Sequence, residues 1–154
     1  MYKFLNGDFT GNDFEEITHN KYFVDKTLLI EHVNKLIRTS DKTVCITRPR
    51  RFGKTINAKM LASYYSIGAN FKDVFDKLEI SKCPSYLEHL NKHNVIYITF
   101  NTGSNGFETY KDYINYFRTR LKADLKDLYT DIIFPDNMLL SEMLNYSFKP
   151  TIID

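Results

Sequence analysis

A short β-branched run, a Gly-Lys-Thr tripeptide and an amphipathic stretch follow one another in this chain, and that junction restricts the fold more than any other feature. Thr43-Val44-Cys45-Ile46-Thr47 has the composition of a buried strand. Lys54 to Ile67 carries Ile56, Met60, Leu61, Tyr64 and Tyr65 at helical spacing, with Gly68 as a stop signal. Between them lies Arg48-Pro49-Arg50-Arg51-Phe52-Gly53-Lys54-Thr55. Strand, tight loop, Gly-Lys-Thr and helix form the arrangement of a phosphate-binding loop. Successive N–H groups of such a loop turn inward onto phosphate oxygens. Gly53 lets the backbone pass close to them, Lys54 brings a mobile cation to the β- and γ-phosphates, and Thr55 offers a hydroxyl to Mg²⁺. The helix adds its positive end. The general pattern places its first glycine where Arg48 stands. The competing reading is a surface turn whose basic cluster, Arg48, Arg50, Arg51 and Lys54, meets acidic side chains or nucleic acid.

The rest of the chain reads as elements around this junction. Residues 1–24 read as irregular, with turn signals at Gly7, Gly11 and Asn12. Residues 26–38 read as a helix that Asp25 would cap. Val95 to Phe100 reads as a second strand, followed by a loop over Asn101 to Gly106. The stripe Phe107, Tyr110, Ile114, Phe117, Leu121, Leu125 and Leu128 predicts a long helix from about Glu108 to Leu128, with its apolar face in a core. A shorter helix is expected over Asn137 to Leu144. The expected fold is α/β: a P-loop NTPase-type three-layer sandwich with a mainly parallel sheet, incomplete at the C-terminus.

The 154 residues suit one domain, and a net charge of +2 implies no global field toward nucleic acid. No stretch approaches the ~18 uninterrupted apolar residues of a membrane helix, and no signal peptide is visible. Cys45 and Cys83 form no CxxC pair, which suggests reduced thiols in a cytoplasm, with Cys45 a small core residue.

A P-loop enzyme also needs an acid at the end of a second strand, to hold Mg²⁺ through water. Asp154, after Thr151-Ile152-Ile153, has that setting; Asp25, Asp131 and Asp136 rank below it. Asp25-Lys26-Thr27 admits two readings, a helix cap or, with Tyr22 to Asp25, a place near an adenine. His89 and His93 share one face if helical, but without a third ligand they read as a solvated helix end. Lys111, Arg118, Arg120, Lys122 and Lys126, among Asp112, Asp124 and Asp127, read as a solvated face with ion pairs.

Tyr22-Phe23-Val24-Asp25-Lys26-Thr27-Leu28-Leu29-Ile30 and Ile46-Thr47-Arg48-Pro49-Arg50-Arg51-Phe52-Gly53-Lys54-Thr55 resemble the AAA-ATPase-like family, often found fused to a PD-(D/E)XK nuclease-like domain. Val95 to Phe100 resembles the family's next strand, and the resemblance runs from about Asp13 to Asp154. It implies ATP and Mg²⁺ as ligands and an ATPase core of the additional-strand type. In it, Arg48 is a family trait. The family's second acidic strand continues Asp-Glu-Tyr-Asp, so Thr151 to Asp154 matches its beginning. The resemblance therefore implies residues 25–154 as the N-terminal part of an ATPase domain. The water-positioning glutamate and a nuclease-like C-terminal domain would lie beyond, hydrolysis would be negligible, and Thr43–Thr47 would lack its usual neighbouring strands. The rival expectation is a non-hydrolysing interaction module whose basic loop contacts nucleic acid or a protein partner.

Overall fold

The computed structural model describes residues 4–7, 11–67, 69–99 and 107–147. The chain divides into two compact units, Asn6–Ile96 and Met1–Leu5 with Tyr97–Asp154. Among the described residues no helix is long and apolar enough to cross a membrane.

The first unit contains α1 (Gly11–Thr18), α2 (Leu28–Asn34), α3 (Lys54–Tyr65), α4 (Lys72–Phe75), a 3-10 turn at Glu79–Lys82 and α5 (Tyr86–His89). Helix α1 lies inside the stretch expected to be irregular. A helix of eight residues is marginal alone, so packing must hold it. Phe14 is buried, stacks on Phe75 at 5.4 Å and meets Phe23 edge-on. Asp13 pairs with Lys59 of α3.

Helix α3 is the centre of this unit. Met60 and Tyr64 are buried, and Ile56, Leu61 and Tyr65 pack against the same cluster, so the predicted face is the observed one. The helix stops earlier than expected. Ser66 turns to an extended conformation (ψ 125°) and forms a parallel bridge with His93. Tyr65 O accepts from His93 N, and His93 O from Ile67 N, both at 2.8 Å. The stop is therefore a tertiary pairing, and Gly68 lies outside the described residues.

The expected sheet is not observed. The described residues hold helices and isolated bridge positions, with no paired strand or parallel sheet. Thr43–Thr47 is exposed throughout, with Val44 at 42% and Ile46 at 40%, and Cys45 lies at the surface instead of in a core. The reason is that a ladder is a non-local interaction. β-Branched composition suits a strand, but only a neighbouring strand can satisfy its N–H and C=O groups. The α/β three-layer sandwich is thus replaced, among the described residues, by helical packing.

In the second unit, α6 (Tyr110–Leu128) and α7 (Leu140–Ser147) pack on Phe4, Leu5 and Phe134. Thr109 caps α6 through a capping box with Asp112. Phe117, Leu121 and Leu125 are buried as their spacing predicts, whereas Tyr110 and Leu128 at the ends are exposed. Asp124 is not on a solvated face. It is buried, and its Oδ2 accepts from the backbone N–H of Phe4 at 2.6 Å and of Leu5 at 3.3 Å. Removing that acceptor strands buried donors, at about 1–3 kcal/mol. Asp124→Ala should lower the free energy of unfolding in urea by about 2–3 kcal/mol, with Asp124→Asn intermediate. Wild-type stability in Asp124→Ala would show that water replaces the carboxylate.

Candidate functional site

The loop before α3 is built around two residues with positive φ. Arg51 has φ +67° and Gly53 has φ +76°, ψ 19°. The left-handed region is open to glycine at little cost, and Gly53 uses it at the N-cap of α3. Its carbonyl accepts the first helical hydrogen bond, from Asn57 N at 2.9 Å. A glycine has no side chain to cap the helix, so the first-turn N–H groups of α3 receive none. The turn thus exposes donors at the positive end of a 12-residue helix.

Lys54 folds back over the loop. Its Nζ donates to Arg48 O at 2.6 Å and Pro49 O at 2.9 Å. The other members of the loop are open to solvent: Arg48, Arg50 and Thr55 are exposed, and Phe52 is 59% exposed.

Beside Gly53 lies a cavity of about 710 Å³, of the size that small-molecule sites have. Arg51, Phe52 and Gly53 line it from the loop, Asn57 and Met60 from α3, and Tyr22 to Val24 with Lys26 from the segment before α2. Among the described residues its charged lining is Lys21, Lys26 and Arg51, with no acidic side chain.

The Asp25-Lys26-Thr27 segment gains a definite structure. Asp25 Oδ1 accepts from Thr27 N at 2.8 Å and from Thr27 Oγ1 at 2.7 Å, while Oδ2 accepts from Glu79 N at 2.7 Å. Thr27, fully buried, accepts in turn from Ile80 N at 3.1 Å. Asp25 therefore makes an Asx-type turn before the N-cap, which is Thr27, and ties it to the 3-10 turn. Lys26, between these two anchors, was visible as part of a string, but its place beside Gly53 depends on the tertiary fold.

Asp154 lies outside the described residues. Asp136 is fully exposed beside Lys126. No group of three or more His, Cys, Asp or Glu side chains able to hold a metal ion exists among the described residues.

His89 and His93 are not a solvated helix end. His89 closes α5 and His93 is a bridge residue, both half-buried, with Nδ1 of His89 3.0 Å from Nε2 of His93. Tyr65 meets the His93 ring edge-on at 5.5 Å. Burial first, then the charges of His89, Arg38 and Lys92, hold the His93 pKa below the ordinary imidazole value. The fold therefore favours the neutral ring, and the unfolded chain takes up this proton at a higher pH. The contribution is intact above the unfolded-state pKa of about 6.5 and is lost as pH falls below it. The urea midpoint should drop between pH 7.5 and 5.5, a window above the carboxylates, and His93→Gln should flatten that slope. An unchanged slope in the variant would assign the titration elsewhere.

Against this geometry the comparisons are specific. The model of the AAA-ATPase-like family, described as predicted AAA-ATPase, matches residues 10–150. No curated protein matches the chain, and no solved structure does. The match takes in the positive-φ loop, the helix it opens and the anchored segment beside them: the chain belongs to the AAA-ATPase-like family.

Proposed function

We propose that the chain binds ATP with Mg²⁺ through residues 48–55. The observation that carries this reading is the left-handed Gly53 at the N-cap of α3, opening beside a cavity whose charged side chains, among the described residues, are all cations. A phosphate chain satisfies both features: it accepts from the uncapped N–H groups and offsets the clustered positive charge.

The roles follow from position. The backbone from Arg48 to Gly53, including Pro49 and Phe52, forms the curve around the phosphates. Lys54 exchanges the carbonyls of Arg48 and Pro49 for phosphate oxygens, a stronger charge-assisted contact. Tyr22, 84% exposed, and Phe52 stand at the cavity as surfaces on which a purine can stack. This favours the reading that put Tyr22 to Asp25 near the adenine.

The described residues fit the phosphates more fully than the metal. When bound, Mg²⁺ supplies charge neutralisation between the terminal phosphates. Thr55, exposed in the first turn of α3, would hold it through its hydroxyl. Asp154 is the proposed carboxylate. No described residue is assigned to activating water.

Isothermal titration calorimetry with Mg-ATP tests the reading. Lys54→Ala should weaken binding at least tenfold, which corresponds to about 1.4 kcal/mol. Arg50→Ala should matter less, because at that loop position backbone N–H groups, and not side chains, face a bound phosphate. Equal affinity in wild type and Lys54→Ala would remove the P-loop assignment. Steeply salt-dependent binding of nucleic acid with indifference to ATP would replace it by a basic interaction loop.

A further inference from the structure

We infer that Lys26 is a second phosphate-contacting lysine of this site, supplied from outside the loop and positioned by Asp25 and Thr27; this rests on the nucleotide reading above. A Cβ placed on Gly53 would lie 3.7 Å from Lys26 Nζ. The ammonium thus stands over the residue where the backbone of the loop is barest. Lys26 is exposed and lines the cavity, while the ammonium of Lys54 is held by two loop carbonyls.

An exposed lysine ordinarily points into water, and its position then means little. Two observations argue against that here. First, the charge is unbalanced. Lys21, Lys26 and Arg51 share one cavity that holds no acidic side chain among the described residues, and the nearby carboxylate of Asp25 is spent on Thr27 and on Glu79 N. Like charges gathered around a concave surface repel one another and are relieved by an anion. Second, the backbone on both sides of Lys26 is tied down. Asp25 reaches Glu79 N, and the buried hydroxyl of Thr27 donates to Asp25 and accepts from Ile80 N. Only the side chain remains to be ordered when an anion binds, which lowers the entropic cost of the contact. The sequence order Asp-Lys-Thr then has one explanation. The two outer residues fasten the segment, and the middle one delivers the charge.

The test uses the 154-residue chain and calorimetry with Mg-ATP and with adenosine. Lys26→Ala and Lys26→Gln should each weaken ATP at least tenfold and leave adenosine binding and the thermal midpoint unchanged. Lys26→Arg, which keeps the charge, should retain most of the affinity. If Lys54→Ala weakens ATP but both neutral Lys26 variants bind as wild type, the Lys26 assignment is wrong and the loop reading stands. Equal loss of ATP and adenosine, or a lowered midpoint in both neutral variants, would make Lys26 structural and overturn the proposal. Absence of ATP binding in the wild-type chain would overturn the loop reading, and this inference with it.

Discussion

The burial of Tyr64 in α3 is the constraint on which the first unit depends. Its ring lies edge-on to Phe75 and Tyr65 and beside Tyr86, and it is inaccessible to solvent. A buried phenol needs a partner for its hydroxyl, and Tyr64 donates to Tyr86 O at 2.5 Å. Asn34 of α2 extends the network. Its amide donates to Ser85 Oγ at 2.8 Å and, at 3.4 Å, to Tyr64, and its oxygen accepts from Tyr65. Burial accordingly raises the pKa of both tyrosines above the ordinary phenol value. This network clamps the C-terminal half of α3 against α2 and α5. The start of α3, with Gly53 and Lys54, lies outside this network.

The loop before α3 has little packing: residues 38–52 are exposed, and Lys54 donates two hydrogen bonds back to Arg48 O and Pro49 O. What gives it shape is local, namely the positive φ of Arg51 and Gly53 and the start of α3. What gives it surroundings is not local. The Asp25–Thr27 knot is fastened to the 3-10 turn more than fifty residues later in sequence, by donors at Glu79 and Ile80. The family match spans loop, helix and knot together.

The second unit shows the same reliance on a few polar contacts. A carboxylate in the buried face of α6 receives two backbone N–H groups from the N-terminal residues Phe4 and Leu5. The apolar stripe of α6 identified its helix, but Asp124 sat within the same turns as the basic residues and read as solvated. Periodicity counts a charge as exposed by default, and only the geometry of a distant segment reveals that it is satisfied inside.

The amino-acid order by itself determined the local features of this protein. The periodicity of Met60 and Tyr64, and of Phe117, Leu121 and Leu125, made α3 and α6 legible, because a helix closes its own hydrogen bonds within four residues. Gly53-Lys54-Thr55 was legible as a turn into a helix for the same reason, and the longer string around it was enough to indicate the family. Tertiary structure alone decided everything that requires a second segment. It left Thr43–Thr47 exposed without a ladder, made α1 from a stretch rich in turn signals, ended α3 on His93, paired His89 with His93 and set Lys26 beside Gly53. The physical reason is that a strand, a buried carboxylate or a converging cation depends on groups far away in sequence, and a composition records none of those distances.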